Sequence, residues 1–420
     1  MGTSHVIIGD GIAGSSAAET VREADPDADI TVITDEGEPL YNRILIKEFA
    51  KGKMPPGPIS IHDEDWYTDR DVDLQLNTHV TRIDTDAHEI HTHRGDTIEY
   101  DTLLIATGGT PTQLPVPGSD ARGIHHFWTF EDARAIKEHA ERAETGAVIG
   151  AGLLGIDLAA ICGAQDVRAH YLMRGNAWWR YALSEEGAGI IHEALRENDV
   201  TPVFGSGVDR FEVDDRGRVT GVVDPNGERF DADFVGVAIG LNYNTEFLQG
   251  SGIERTENGS VVTDEHMRTN VADVYAAGDL TYFYDVLIEE MAQNGAWGSA
   301  KEQGSIAGAN MVHDQRGDGE EATFEWVSSY SITHFDFPFL SFGHPTIGDD
   351  SVERKYSDTE WRRVAIKDGR VVGGVLIGDL APQSKLKRLA RDRVDVSDTK
   401  ELLLEETIDL ENFEAPEASS

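Results

Sequence analysis

The chain has 420 residues, enough to bury a large core and to divide into roughly two to four domains. It carries 77 acidic against 36 basic residues, for a formal net charge of −41. That balance excludes nucleic acid and an anionic membrane as partners, since both would be repelled. With no single long acidic tail it reads as a solvated shell, suited to a halophilic interior where molar salt shortens screening to roughly 3 Å.

In chain order, the strand-favouring run His5-Val6-Ile7-Ile8 leads into Gly9-Asp10-Gly11-Ile12-Ala13-Gly14 and then a helix-compatible segment. The first glycine serves a tight turn, and the second lets a pyrophosphate touch the backbone. The third lets helix pack on strand, while the helix N-terminus offers amides and positive dipole. A second predicted strand, residues 30–34, ends at Asp35, whose carboxylate can accept both hydroxyls of a ribose. A first strand starting at residue 5 leaves no room for a signal peptide, so a cytoplasmic location is expected.

Arg43 and Lys47 follow, placed either to reach a pyrophosphate and the edge of a redox ring or simply as surface charges. His88, His91 and His93 alternate along a predicted strand without any cysteine cluster, so they read as solvated strand residues and no metal is expected. An apolar strand then stops at Ala106-Thr107-Gly108-Gly109, where backbone can approach a ligand closely.

A second glycine turn, Gly150-Ala151-Gly152-Leu153-Leu154-Gly155, again follows a strand and opens a helix over 154–164. The next strand ends in Arg174, with Arg180 six residues later, where an acid would read a ribose hydroxyl. Unless both simply face solvent, cations there suit a 2′-phosphate and favour NADPH over NADH. Trp178 and Trp179 read as packing, and the lone cysteine, Cys162, as inert in its apolar helix. A buried strand over 234–240 returns the chain to the first domain. Another ends in Gly278-Asp279, where one carboxylate can bind ribityl hydroxyls, and a helix containing Trp297 follows. In the last ninety residues Tyr330, Phe335 and Phe337 gather as aromatics, a hairpin turns at Asp368-Gly369, and helical ends are predicted over 385–393 and 399–406.

The two glycine turns, Ala106 to Gly109 and Val274-Tyr275-Ala276-Ala277-Gly278-Asp279, in this order, resemble the pyridine nucleotide–disulfide oxidoreductase superfamily. Tyr41-Asn42-Arg43, Trp297 through Gln303-Gly304, and residues 375–379 resemble its branch of rubredoxin and ferredoxin reductases, NADH oxidases and nitrite reductase flavin parts. The resemblance implies an α/β fold with two Rossmann-like domains (glutathione reductase-like) plus a small α+β C-terminal domain. Its boundaries would be 1–112 with 241–322 for FAD, 113–240 for NAD(P)H, 323–413 for the last domain and 414–420 for a disordered tail.

It further implies that Gly9, Gly11, Ile12, Ala13 and Gly14 hold the FAD pyrophosphate, Asp35 its adenosine ribose and Arg43 its phosphates. Val80 would lie by the adenine, Thr107, Gly108 and Trp297 would contact the cofactor, and Gly278 with Asp279 would hold the ribityl chain. Gly150, Gly152 and Gly155 would carry NAD(P)H, and the spacing of Arg174 and Arg180 is similar to the arginine pair of NADPH-using glutathione reductases. Lys47 would steady the flavin's negative charge, although Glu48 stands where that branch has its lysine and Asp157 where it has glutamate.

A hydride would pass to flavin N5 and electrons onward to a small redox protein such as rubredoxin or ferredoxin. Direct reduction of oxygen or quinone, or a flavin-binding redox-sensing module without turnover, are the alternatives. A homodimer is compatible with either, and no integral membrane contact is expected. The superfamily's paired cysteines are missing, which removes a disulfide step.

Overall fold

Two apolar runs that each end in a glycine turn become the central strands of two parallel sheets. The computed structural model describes residues 2–317, 320–332, 334–335 and 338–413. Phe337 and residues 414–420, expected to form part of the aromatic group and the tail, lie outside the described residues.

The first sheet has the order Val274–Ala276, Thr102–Ile105, Ser4–Ile8, Asp29–Ile33, Val72–Gln75, parallel throughout. The second has the order Val200–Phe204, Arg168–Met173, Thr145–Ile149, Phe234–Val237, Ile124–His126, also parallel. In both, the strand before the glycine turn lies third, with the next parallel strand in chain order on one side and a later strand on the other. That is where strand order reverses, and in open α/β sheets ligands bind at the carboxyl end of this switch point. Two Rossmann-like cores of the glutathione reductase kind, expected from the sequence, are thus present.

Contacts gather Met1–Asn42, Gly57–Thr110 and Leu241–Ser328 into one unit, and Arg43–Pro56, Pro111–Gly240 and Ser329–Ser420 into another. In the first, Val6, Ile8, Leu103 and Ile105 share a core with Val80, Ile83, Ile90 and Phe247. The helix Ile12–Ala24 packs on the helix Trp297–Arg316 through small residues: a Cβ on Gly304 would lie 2.0 Å from the Ala13 carbonyl oxygen. Backbones therefore touch, and neither helix needs a broad stripe of large side chains.

The sequence pattern predicts that helix directly after Asp279. The structure inserts a hairpin, Thr281–Asp285 against Glu290–Ala292. Its first strand, Thr-Tyr-Phe-Tyr-Asp, alternates buried and partly buried residues and is rich in aromatics, a strand composition.

In the second unit the helix Leu153–Ala164 buries Ile156, Leu158, Ile161 and Cys162, and an apolar helix of this kind belongs inside. A five-stranded antiparallel sheet runs Ser329–Ile332, Phe339–Gly343, Arg370–Ile377, Trp361–Lys367, Asp350–Lys355. Its hairpin turns where predicted, with Asp368 and Gly369 at φ +49° and +74°, as a tight two-residue connection requires. Fully buried Trp361 lies over Gly187 of the helix Glu185–Glu197, where a Cβ would come within 2.9 Å of the ring. The predicted helix over 385–393 spans Gln383–Arg391, while 399–406 forms only a tight 3-10 segment, Lys400–Leu404. Among the described residues no helix is long and apolar enough to cross a membrane.

Candidate functional site

The N-terminal turn is built from three glycines with different jobs. Gly9 sits at φ +111°, and a Cβ there would lie 2.2 Å from the Ala106 carbonyl oxygen. On Gly14 it would lie 1.9 Å from the Gly9 carbonyl oxygen, so both outer glycines are fixed by packing. Around Gly11, among the described residues and apart from its own chain neighbours, no atom comes within 4 Å of that position. Gly11 caps the helix Ile12–Ala24 with extended backbone, no side-chain cap and no acid in the first turn. By contrast, the helix Phe130–Ala140 is capped by Thr129 and Asp132. The first amides of Ile12 and Ala13 are thereby left to an outside acceptor, and the dipole favours an anion.

Several of the predicted residues converge on this turn. Ala106, against Gly9, leads into Thr107, whose Oγ1 donates to the Asn244 carbonyl at 2.8 Å, and Gly108 at φ +57°. Gly278 approaches Ala13, 3.3 Å from its would-be Cβ, and its amide donates to Gln303 Oε1 at 2.8 Å. Asp279 lies beside Gly295, and partly buried Trp297 opens the helix that packs on Ala13. Asp35 is exposed just past the strand Asp29–Ile33. Val80 is buried in the core at the start of the strand Val80–Asp84.

Gln303, named from sequence only within a family-like motif, props the Gly278 turn, and Asp10 carries no expected role from sequence. Tyr67 Oη lies 2.7 and 2.8 Å from the two Asp10 carboxylate oxygens, and burial pushes Asp10 up to about 7. An acid placed between two loop glycines was the signal available for it. The strand histidines use their rings within the protein: His91 meets Arg82, His93 accepts from the His79 amide, and His88 stacks on Tyr100. Among the described residues no cluster of three or more His, Cys, Asp or Glu could hold a metal.

The second turn repeats the first. A Cβ on Gly150, at φ +117°, would meet the Ala238 carbonyl oxygen at 1.9 Å. On Gly155 it would meet the Gly150 carbonyl oxygen at 2.2 Å and Tyr171 Oη at 2.3 Å. Gly152 again faces open space and caps its helix without a side-chain bond. The segment after Arg174 is pinned to this turn. The Trp179 amide donates to the Ala151 carbonyl at 3.1 Å, and Trp178 Nε1 to the Gly152 carbonyl at 3.2 Å. The two tryptophans thus hold the loop that bears Arg174 and Arg180, both of them exposed. Arg180 lies over the exposed Tyr181 ring at 4.8 Å.

Also in the second unit, Asp157 is buried one turn into the helix Leu153–Ala164 and bonds three side chains. His334 Nε2 lies 2.5 Å and Lys47 Nζ 3.5 Å from Oδ1, and Tyr330 Oη donates to Oδ2 at 3.0 Å. Lys51 Nζ lies 2.8 Å from His334 Nδ1 and 2.9 Å from Glu48 Oε1. Burial alone would raise Asp157, but the bond from His334 and the Lys47 charge hold its carboxyl below the usual range. Burial pulls both His334 and Lys51 below their ordinary values. Lys47, Asp157 and Tyr330 stood out in the sequence, whereas Lys51 and His334, the latter 177 positions from Asp157, did not. Arg43, of the same unit, donates to the Trp128 carbonyl at 3.0 Å.

The sequence profile of the pyridine nucleotide-disulphide oxidoreductases matches residues 3–304. A nitrite reductase [NAD(P)H] of Bacillus subtilis is 26% identical over 407 residues, covering 94% of this chain. This chain spans about half of that relative's length, 48%. Among solved structures, the chain is similar to one in the covalent putidaredoxin reductase–putidaredoxin complex, with TM-score 0.90, 23% identity and 98% of each chain covered. It is also similar to an engineered water-forming NADPH oxidase bound to NADPH, with TM-score 0.85, 21% identity, and 99% and 96% covered.

Proposed function

The chain belongs to the pyridine nucleotide-disulphide oxidoreductase family, and from that premise we propose that it is an FAD-dependent NAD(P)H oxidoreductase feeding electrons to a small rubredoxin- or ferredoxin-like protein. The observation that carries this reading is the repeated turn. In each, the outer glycines are locked by backbone contacts, and the middle one, Gly11 or Gly152, opens on space that no other described residue enters. A dinucleotide pyrophosphate fits such a cradle, with the uncapped helix amides as its donors.

FAD, when bound, supplies two-electron acceptance and one-electron release. The chain supplies position. Gly9 to Gly14, with Ile12 and Ala13, would hold the FAD pyrophosphate, and Asp35 the ribose. Thr107, Gly108, Gly278, Asp279, Val80, Trp297 and Arg43 would line the rest. Residues 1–112 and 241–322 would form that domain, 113–240 the NAD(P)H domain and 323–413 the last. Lys47 would present its ammonium to the developing negative charge, oriented by Asp157.

NADPH is the preferred donor in this reading. Arg174 and Arg180 are exposed cations in a chain of net charge −41, on a loop tied to the Gly152 turn. The engineered NADPH oxidase has two introduced arginines with the same six-residue spacing. The single cysteine, Cys162, is buried, and burial pushes its thiol up to about 12, so electrons would leave the flavin without a disulfide relay.

Anaerobic titration of the purified, FAD-loaded protein with NADPH tests the proposal. Bleaching of the yellow band within seconds, and its recovery on adding an oxidised rubredoxin or ferredoxin, is expected. Colour that persists with tight nucleotide binding would favour a sensing module. Recovery only with oxygen or quinone would favour the oxidase or quinone reductase.

A further inference from the structure

The cluster around Asp157 has a direction. An ammonium only donates, so His334 Nδ1, 2.8 Å from Lys51 Nζ, accepts. The ring's one proton is then on Nε2, donated to Asp157 Oδ1 at 2.5 Å. A neutral imidazole between a cationic donor and an anionic acceptor can gain a proton at one nitrogen while losing one at the other. Lys51, His334 and Asp157 are buried, while Glu48, 2.9 Å from Lys51, is partly exposed. The bonded series Glu48, Lys51, His334, Asp157, Lys47 therefore leads from solvent into the interior of the second unit.

We propose that this series is a proton wire, carrying one proton between solvent at Glu48 and the Asp157–Lys47 pair through the His334 imidazole. It rests on the oxidoreductase reading, in which each hydride taken from NAD(P)H is accompanied by one proton from solvent, returned when the electrons leave. When Lys47 passes a proton to the acceptor of the hydride, the ionised Asp157 takes the His334 Nε2 proton as Lys51 gives one to Nδ1, and Asp157 hands the proton it has gained to Lys47. Lys51 is refilled from solvent by way of Glu48. One proton enters and one leaves. The same bonds reversed return the imidazole to its first tautomer, so no ring need turn over in the core.

The electrostatics suit a conduit. Burial readies Lys51 to release its proton, opposed by Glu48, and the bonds on Asp157 disfavour its keeping one. Among the described residues, few charged and titratable groups face the wire. Lys47 and Glu48 come from the helix Ile46–Ala50, Lys51 and Lys53 from just beyond it, Tyr330 from the strand Ser329–Ile332 and Tyr171 from the strand Arg168–Met173.

Two measurements on the FAD-loaded protein test the wire. Nitrogen NMR with labelled histidine should find His334 neutral with its proton on Nε2 near pH 7. A proton on Nδ1 would overturn the proposal. In anaerobic rapid mixing with NADPH, His334→Phe should slow bleaching roughly a hundredfold and enlarge the solvent deuterium effect, because proton delivery becomes rate-limiting, with free imidazole restoring the wild-type values of both. A variant that bleaches at the wild-type rate with the same deuterium effect would also overturn it. Should His334→Phe not fold, Lys51→Met and Glu48→Gln cut the outer links and should lower the rate with the same change in the solvent deuterium effect. A wild-type protein that takes up no FAD refutes the oxidoreductase reading instead, and the tautomer measurement still decides the wire's direction.

Discussion

Asp10 offers a quantitative test of the N-terminal turn. It stands between Gly9 and Gly11, and Tyr67 Oη reaches both of its carboxylate oxygens. Burial moves it from 3.8 to about 7, against the pull of the Tyr67 bond. Because the folded state holds this proton more tightly than the unfolded chain, the stabilisation is complete below the unfolded value. It is lost as pH rises through the folded one. At about 1.4 kcal/mol per unit, wild-type stability should fall by about 2 kcal/mol from this group alone between pH 5.5 and 7. The limiting loss at higher pH is about 4 kcal/mol.

Asp10→Asn keeps an acceptor for Tyr67 and removes the charge, so its curve should lack this component. Urea unfolding at fixed salt and pH 5.5, 7 and 8.5 measures the difference, which should open with pH in favour of the asparagine. Parallel curves for the two proteins would refute the argument. A diphosphate on the same turn would disfavour the ionised form further, so FAD release should steepen with pH in the wild type and flatten in the variant.

Gly11→Ala should fold normally and lose FAD affinity, because the added methyl fills only the open cradle, whereas Gly14→Ala should destabilise the first unit by clashing with the Gly9 carbonyl. Thermal melts and flavin absorbance separate the two. Gly152→Ala should keep the yellow colour and weaken only the nicotinamide nucleotide, as read by its Michaelis constant. Arg174→Glu combined with Arg180→Ala should raise the NADPH Michaelis constant and spare NADH; an equal response to both would remove the 2′-phosphate reading. Cys162, buried with its thiol pushed up to about 12, should react with a thiol reagent only after denaturation.

Local pattern carried the two glycine turns. Strand, glycine spacing and helix start lie within about ten residues of each other, and a turn that needs positive φ at Gly9 and Gly150 leaves its mark directly in residue type. The parallel sheets followed, because a strand that feeds a helix through such a turn must cross over to a parallel neighbour. What the sequence left open is what depends on distant segments. The hairpin before the helix Trp297–Arg316 forms because its first strand finds Val261–Thr263 as a parallel partner. Lys47 groups with the unit of the second sheet, from which it is separated by about a hundred positions of chain. The wire joins residues 47, 51, 157 and 334, and no spacing announces a hydrogen bond across 177 positions. Turn geometry is a local cost that the backbone meets within a few residues, so sequence alone determined it. The partnering of buried charge is settled only when burial removes water and each group must find its counterpart elsewhere in the fold.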